Sequence, residues 1–203
     1  MEASTAVLGA AATALLALDS TLVGQFLLGR PLVVAAVLGA LTGEPAAAAA
    51  AGLICELLTL ERIPVGSEVP PNGAIACASA ILWSAGGGAP PALAVPAGLL
   101  AGWAYRPVEI FLRRKRAGLA GICEERVRGG ADPGLGPAAG LSCAAEAATA
   151  FLFLGATTFA MRPGLSWLWS VLAPAPRLGL EAGLAAAPLL GAAVLARALW
   201  PRR

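Results

Sequence analysis

Short apolar runs, broken by turns of glycine, proline and isolated charge, recur along this sequence and leave few folds open to it. Residues 32–42 and 46–60 are two such runs, each shorter than the about 20 apolar residues that a spanning helix needs. The stretch "TGEP" at 42–45 separates them, and its glycine and proline stop a helix. Within the bilayer core, a non-helical turn occurs only where protein or a water-filled cavity surrounds it. The pattern therefore predicts a re-entrant hairpin or a broken helix.

Composition extends this interpretation to the whole chain. Only 13% of the 203 residues are charged and 58% are hydrophobic, whereas about 25% of the residues of a soluble domain are charged. The mean hydropathy is +0.78. The 25 glycines and 16 prolines are more easily accommodated in membrane helices than in soluble ones. We expect an all-α, polytopic membrane protein with re-entrant hairpins and broken helices, built from two related halves.

The residue types that are scarce narrow the possible functions. The chain has no histidine, which excludes a phosphohistidine carrier, a Ser-His or Cys-His catalytic pair and histidine ligation of a metal. Its four cysteines lie 20 or more residues apart, with no CxxC pattern, so we predict small apolar packing for them rather than a metal site. We predict no catalytic residues, no cofactor and no enzymatic activity.

Charge and hydropathy together suggest an order of crossings. Six Lys or Arg occur among residues 113–128, which places residues 113–137 in the cytoplasm as a basic loop by the positive-inside rule. Because these cations lie beside apolar segments, nucleic acid is not an expected partner. The loop divides an N-terminal membrane half, 1–112, from a C-terminal half, 138–203. The predicted segments are an uncleaved first segment at 4–29, a short arm at 73–85, crossings at 91–112, 138–161 and 178–200, and an interfacial segment at 162–176.

Isolated polar groups within the apolar N-terminal half mark a candidate site. Ionisable groups in a membrane face a cavity or a partner, because burying them in hydrocarbon is costly. Carboxylates and carboxamides suit a neutral, polyhydroxylated ligand, since sugar hydroxyls donate to the former and exchange hydrogen bonds with the latter. Two alternatives stay open for the acids: a structural pair with Arg30, or a position at the headgroups. The polar groups are Asp19, Gln25, Arg30, Glu56 and Asn72, with Glu61, Arg62 and Glu68 expected at an interface.

The stretch from residue 18 to 82 carries several motifs in a fixed order. An acid is followed by "QFLLGRPL", a Gly-acid turn, "GLICEL", "PVG" and "PPN". This order resembles the IIC membrane subunit of the mannose–fructose–sorbose family of the bacterial phosphotransferase system. Two positions depart from that pattern: the usual Gly-Asp turn is Gly43-Glu44, and Asn72 stands where an acid often follows the prolines. The family's members also usually continue past the point where this sequence ends.

The resemblance implies a sugar permease subunit in the bacterial inner membrane. It would work in an oligomeric assembly with a IID membrane subunit and with soluble IIB and IIA components that carry the phosphoryl group. By resemblance, Asp19, Gln25, Glu56 and Asn72 line the sugar path, and the re-entrant elements are shaped by Arg30, Pro31, Pro70 and Pro71. Two alternatives are a regulatory or scaffold protein that descends from that subunit and no longer transports, and an unrelated small-solute carrier or channel.

Overall fold

The structure, a computed structural model, describes residues 1–20, 22–59 and 69–200. Every regular element among these residues is a helix. This confirms the predicted fold class. A short 3-10 turn, Leu18–Ser20, follows the first helix. The α-helices are α1 Ala3–Ala17, α2 Pro31–Thr42, α3 Pro45–Thr59, α4 Gly73–Ser84, α5 Pro91–Ala104, α6 Arg106–Arg128, α7 Leu135–Val171 and α8 Pro174–Leu199.

Four short helices form two hairpins in the middle of the fold. The first hairpin pairs α2 with α3, and the second pairs α4 with α5. Gly43 ends α2 in the left-handed region, at φ 74°, where a side chain would be strained. The arms have 12 to 15 residues, so each is too short to cross a bilayer alone. The short arms expected on both sides of "TGEP" are thus confirmed as a helical hairpin.

The two hairpins lie side by side and point the same way. Their tips meet where the Gly86 amide donates to the Glu44 carboxylate at 2.8 Å. Arg162 of α7 donates to the carbonyls of Ala85 and Gly86 at 2.8 and 3.1 Å and so holds the second tip. At the open ends, a Cβ added to Gly73 would lie 3.1 Å from Pro31. The hairpins therefore touch at both ends.

Glycines allow the helices of each hairpin to approach closely. A Cβ added to Gly52 of α3 would lie 2.4 Å from Ala35 of α2, and one added to Gly98 of α5 would lie 2.5 Å from the Ala76 carbonyl of α4. Small residues at helix contacts are the usual means of association where lipid supplies no hydrophobic drive. The buried core around them is rich in alanine, with Leu38 and Ile75 among its larger members. Close backbone approach holds the hairpins together.

The structure corrects the segments predicted after the second hairpin. The single crossing predicted at 91–112 is wrong, because the chain breaks at Tyr105 between α5 and α6. Pro107 explains the break, since it has no N–H to donate to the carbonyl four residues earlier. The description of 113–137 as a loop is also wrong: α6 continues to Arg128, and only 129–134 lies between helices.

The C-terminal third consists of two long helices. The separate interfacial segment predicted at 162–176 is wrong, because α7 runs from Leu135 to Val171 with Pro163 inside it. Membrane helices tolerate such prolines when neighbouring groups satisfy the freed carbonyl. Judged by length and apolarity, Ala3–Ser20, Leu135–Val171 and Pro174–Arg197 are long enough to cross a bilayer. The relation between the two predicted halves stays a prediction.

Candidate functional site

A carboxylate and a guanidinium meet at the open end of the first hairpin. The Arg30 Nη1 donates to Glu56 Oε1 at 3.1 Å, and the Leu32 amide donates to Glu56 Oε2 at 3.4 Å. Glu56 is buried, while 45% of the Arg30 side chain is exposed. The structural pair with Arg30 that the sequence left open is therefore present.

Local sequence explains why Glu56 reaches this position. Gly52 precedes Glu56 by one helical turn, on the same face of α3, and brings that face against the start of α2. Pro31, the first residue of α2, has no N–H, so the Leu32 amide is the first donor that this helix end offers. A carboxylate is favoured there by the helix dipole. The "RPL" and "GLICEL" motifs thus build one polar corner.

The open end of the second hairpin carries Asn72 as the N-cap of α4. Its Oδ1 accepts from the Ile75 amide at 3.0 Å, the usual capping bond. Its Nδ2 lies 3.5 Å from Oε2 of Glu109 on α6, and its backbone N–H donates to the Gly102 carbonyl at 3.1 Å. Pro70 and Pro71 are half-buried and lead directly into this cap.

Asp19 and Gln25 lie in the turn that connects α1 to α2. Asp19 is buried, and its two oxygens accept from the amides of Phe26 and Leu28, both at 2.7 Å. Gln25 and Leu27 have φ of 54° and 68°, a left-handed conformation that costs ordinary residues energy. The two amides that donate to Asp19 belong to Phe26 and Leu28, which directly follow Gln25 and Leu27, so these bonds hold the left-handed turn in place. Gln25 is exposed, so its amide is available to a ligand.

Two buried carboxylates were missing from the residues singled out in the sequence. Glu109 is 5% exposed and accepts from Arg113 Nη2 at 3.0 Å; Glu146 of α7 is 3% exposed and pairs with Arg116 of α6. The sequence signal for Glu109 is a lone acid four residues before a basic run. That signal resembles the solvated flank of a membrane helix, and only the fold shows the burial.

The structure gathers the predicted residues into two groups. Arg30, Pro31 and Glu56 form one corner, which the contact between Gly73 and Pro31 joins to the cap at Asn72. We call this set, together with Glu109, the open-end polar layer. Asp19 and Gln25 belong to the preceding turn. Glu61, Arg62 and Glu68, expected at an interface, lie outside the described residues.

The open-end polar layer contains both hydrogen-bond donors and hydrogen-bond acceptors. One N–H of Arg30 is used in the pair with Glu56, and a guanidinium has five. Carboxylate oxygens and the Asn72 amide add acceptors and a donor. In the part of the chain that the structure describes, no group of three or more His, Cys, Asp or Glu is arranged to hold a metal ion.

Long apolar helices and two short hairpins define a helical membrane protein. The family model described as the PTS system sorbose-specific IIC component matches residues 3–203, and the chain belongs to that family. The resemblance noted for residues 18 to 82 is thereby confirmed and extended. Membership implies sugar transport, as a membrane subunit that works with the other components of the phosphotransferase system.

A solved structure supports the fold independently. The chain is similar to a protein described as "Structure of membrane protein", with a TM-score of 0.77 and 15% sequence identity, over 99% of this chain and 81% of that one. At this identity the likeness concerns the fold alone. None of the curated proteins compared with the chain matches it.

Proposed function

We propose that the protein carries a mannose-type hexose or amino sugar across the bacterial inner membrane. The observation that supports this most directly is the open-end polar layer: the Glu56–Arg30 pair and the Asn72 cap lie at the ends of helices too short to span, and these ends meet between Gly73 and Pro31. Buried charge inside a membrane protein is costly and points to function. In this proposal Glu56 and Arg30 bind sugar hydroxyls together, as acceptor and donor.

The other predicted residues have distinct parts in the proposal. Asn72 contributes its amide to the sugar, and Gln25 contributes from the turn before α2. Asp19 contributes by holding that turn in shape, because its oxygens accept two short backbone hydrogen bonds of 2.7 Å, whereas the backbone contact of Glu56 is 3.4 Å long. Pro70 and Pro71 fix the approach to the α4 cap.

Coupling to phosphorylation is part of the same proposal. A IID-like membrane subunit and soluble IIB and IIA components would complete the system, in an oligomeric assembly. The exposed apolar side chains of α8, among them Leu178, Leu189 and Leu190, support assembly within a bilayer, since such a surface requires lipid or a partner. We expect co-expression with a IID-like subunit to raise the yield of monodisperse protein clearly over expression alone.

The decisive test compares Glu56→Gln with a matched substitution. Glu124→Gln is the control, because Glu124 also pairs with an arginine, Arg128, but both side chains are mostly exposed. A sugar hydroxyl bonded to a charged group contributes about 1.5–3 kcal/mol. We therefore expect Glu56→Gln to weaken mannose binding to the purified complex by roughly ten- to a hundred-fold, and Glu124→Gln to leave it unchanged.

Thermal unfolding separates binding from folding in this test. A folded Glu56→Gln complex that binds mannose, glucosamine and sorbose as well as the wild type would remove Glu56 from the sugar path. An assembled wild-type complex that binds none of these sugars would contradict transport. That result would favour the regulatory or scaffold alternative.

A further inference from the structure

Glu109 is a buried carboxylate that neither the family motifs nor the proposed sugar contacts include. It lies in the first turn of α6, a helix whose later turns are mostly exposed. Arg113 Nη2 donates to its Oε1 at 3.0 Å, which leaves Oε2 facing the Asn72 amide nitrogen at 3.5 Å. A buried carboxylate needs compensating partners for both of its oxygens, and among the described residues Asn72 is the one that faces Oε2. The contact therefore ties the Asn72 amide to a fixed, buried acceptor.

The two ends of the Asn72 amide differ in what they face. Its oxygen accepts from the Ile75 amide, and its nitrogen points to the Glu109 carboxylate. A half-turn of the amide would set its NH2 against the Ile75 N–H and its oxygen against a carboxylate. Both contacts would be repulsive, because an amide nitrogen only donates and a carboxylate only accepts. Glu109 and Ile75 thus fix the same orientation from opposite sides.

We infer that Glu109 is a positioning residue for sugar recognition, which orients the Asn72 amide so that a nitrogen-bound proton, and not the oxygen, is presented to the ligand. The inference rests on the proposed function, in which Asn72 contacts the sugar. One N–H of Asn72 is directed to Glu109, and the second has no hydrogen-bond partner among residues 1–20, 22–59 and 69–200, so in this inference it donates to a sugar oxygen. Glu109 would therefore help to select a hydroxyl that accepts a hydrogen bond at this point.

Glu146 provides a matched comparison within the same fold. It is as buried as Glu109 and also pairs with an arginine of α6, Arg116. Its carboxylate oxygens have no hydrogen bond to Asn72 among the described residues. If Glu109 mattered only as a buried partner for arginine, the two glutamates would respond alike to substitution. A specific effect on sugar binding distinguishes positioning from general support.

The experiment measures mannose and 2-deoxyglucose binding to the purified complex with its membrane partner. The variants are Glu109→Ala, Glu109→Gln and Glu146→Ala, with Glu109→Ala repeated in an Asn72→Ser background that keeps a capping oxygen. We expect Glu109→Ala to weaken mannose binding about three- to ten-fold, the size of one neutral hydrogen bond. It should also change the preference between the two sugars. Glu109→Gln, which keeps an acceptor oxygen, should restore most of the affinity.

The double variant tests whether Glu109 affects sugar binding through Asn72. In the Asn72→Ser background, Glu109→Ala should cause no further loss, because its effect passes through Asn72. An equal loss in both backgrounds, an equal loss for Glu146→Ala, or wild-type binding by folded Glu109→Ala would each overturn the inference. If Asn72→Ser itself binds normally, the proposed sugar contact of Asn72 fails and the inference fails with it. If Asn72→Ser weakens sugar binding but Glu109→Ala leaves it unchanged, the proposed function stands and this inference alone fails.

Discussion

Glu44 and Gly86 join the tips of the two hairpins through a hydrogen bond of 2.8 Å, from the Gly86 amide to the Glu44 carboxylate. The residues are 42 positions apart in the chain. Gly86 has a φ of 60°, which lets its amide face the neighbouring tip at little strain. The bond links two helical pairs that are also joined by the Cys77 thiol of α4, which donates to the Pro31 carbonyl of α2 at 3.3 Å.

Glu44→Ala should destabilise the folded protein, because it removes the polar link between the tips. We expect a loss of about 1 kcal/mol, below the usual value for a charged acceptor because the site is partly exposed. Glu44→Gln should lose less, since an acceptor oxygen remains. Thermal unfolding in detergent measures both, with Glu125→Ala on the exposed face of α6 as the control. Equal melting temperatures for Glu44→Ala and the control would contradict a stabilising role for the bond.

Asp19→Ala should be strongly destabilising, because two backbone amides lose a charged acceptor. The bonds to Phe26 and Leu28 are both 2.7 Å long, and the expected loss is about 3 kcal/mol. Asp132→Ala is a suitable control: its Oδ1 also accepts a backbone amide, that of Gly134, but in an exposed turn. Unfolding and limited proteolysis of residues 22–30 would report the difference. A sugar-binding defect in an Asp19→Ala protein of normal stability would instead favour direct contact with the ligand.

Gly98→Ala should separate α5 from α4. The added Cβ would lie 2.5 Å from the Ala76 carbonyl oxygen, and such overpacking costs about 1–3 kcal/mol. Gly155→Ala in α7 meets nothing within 4 Å, so the better helix former should stabilise by up to about 1 kcal/mol. Opposite shifts in melting temperature are the expected result. Two equal shifts would show that helix propensity, and not close approach, governs both positions.

The basic residues of the stretch 113–137 should face the cytoplasm. Cys123 is a poor reporter because it is buried, so Glu125→Cys in a background without the native cysteines is the better probe. We expect an impermeant maleimide to label it only after permeabilisation, because arginine and lysine clusters stay inside. Trp167→Cys, exposed near the other end of α7, should be labelled in intact cells. The reverse pattern would invert the predicted topology.

Turn chemistry made the first hairpin predictable from sequence. The runs at 32–42 and 46–60 correspond to helices Pro31–Thr42 and Pro45–Thr59, because a left-handed glycine and a helix-initiating proline mark the boundary. The same turn chemistry did not predict the helix boundaries near later prolines. Pro107 accompanies a break, while Pro163 lies inside a continuous helix. Composition does not distinguish these cases, since the outcome depends on which neighbours satisfy the freed carbonyl.

The candidate site was predictable to a similar extent. Arg30, the N-cap of α2, and Glu56 of α3 belong to one hairpin, so the sequence offered a pair between them as one of two alternatives. Asn72 and Glu109 are 37 residues apart, and their approach depends on how α4 packs against the junction of α5 and α6. No spacing rule gives that packing.

The shortness of the hairpins limits how far a sugar would have to travel under protein guidance. A helix of 12 residues, such as α2 or α4, is about 18 Å long, against about 30 Å of hydrocarbon. A solute that moved from the open ends to the tips would cross only that shorter distance. The insulating layer between the two aqueous compartments would then be set by the length of four short helices, and not by the thickness of the lipid.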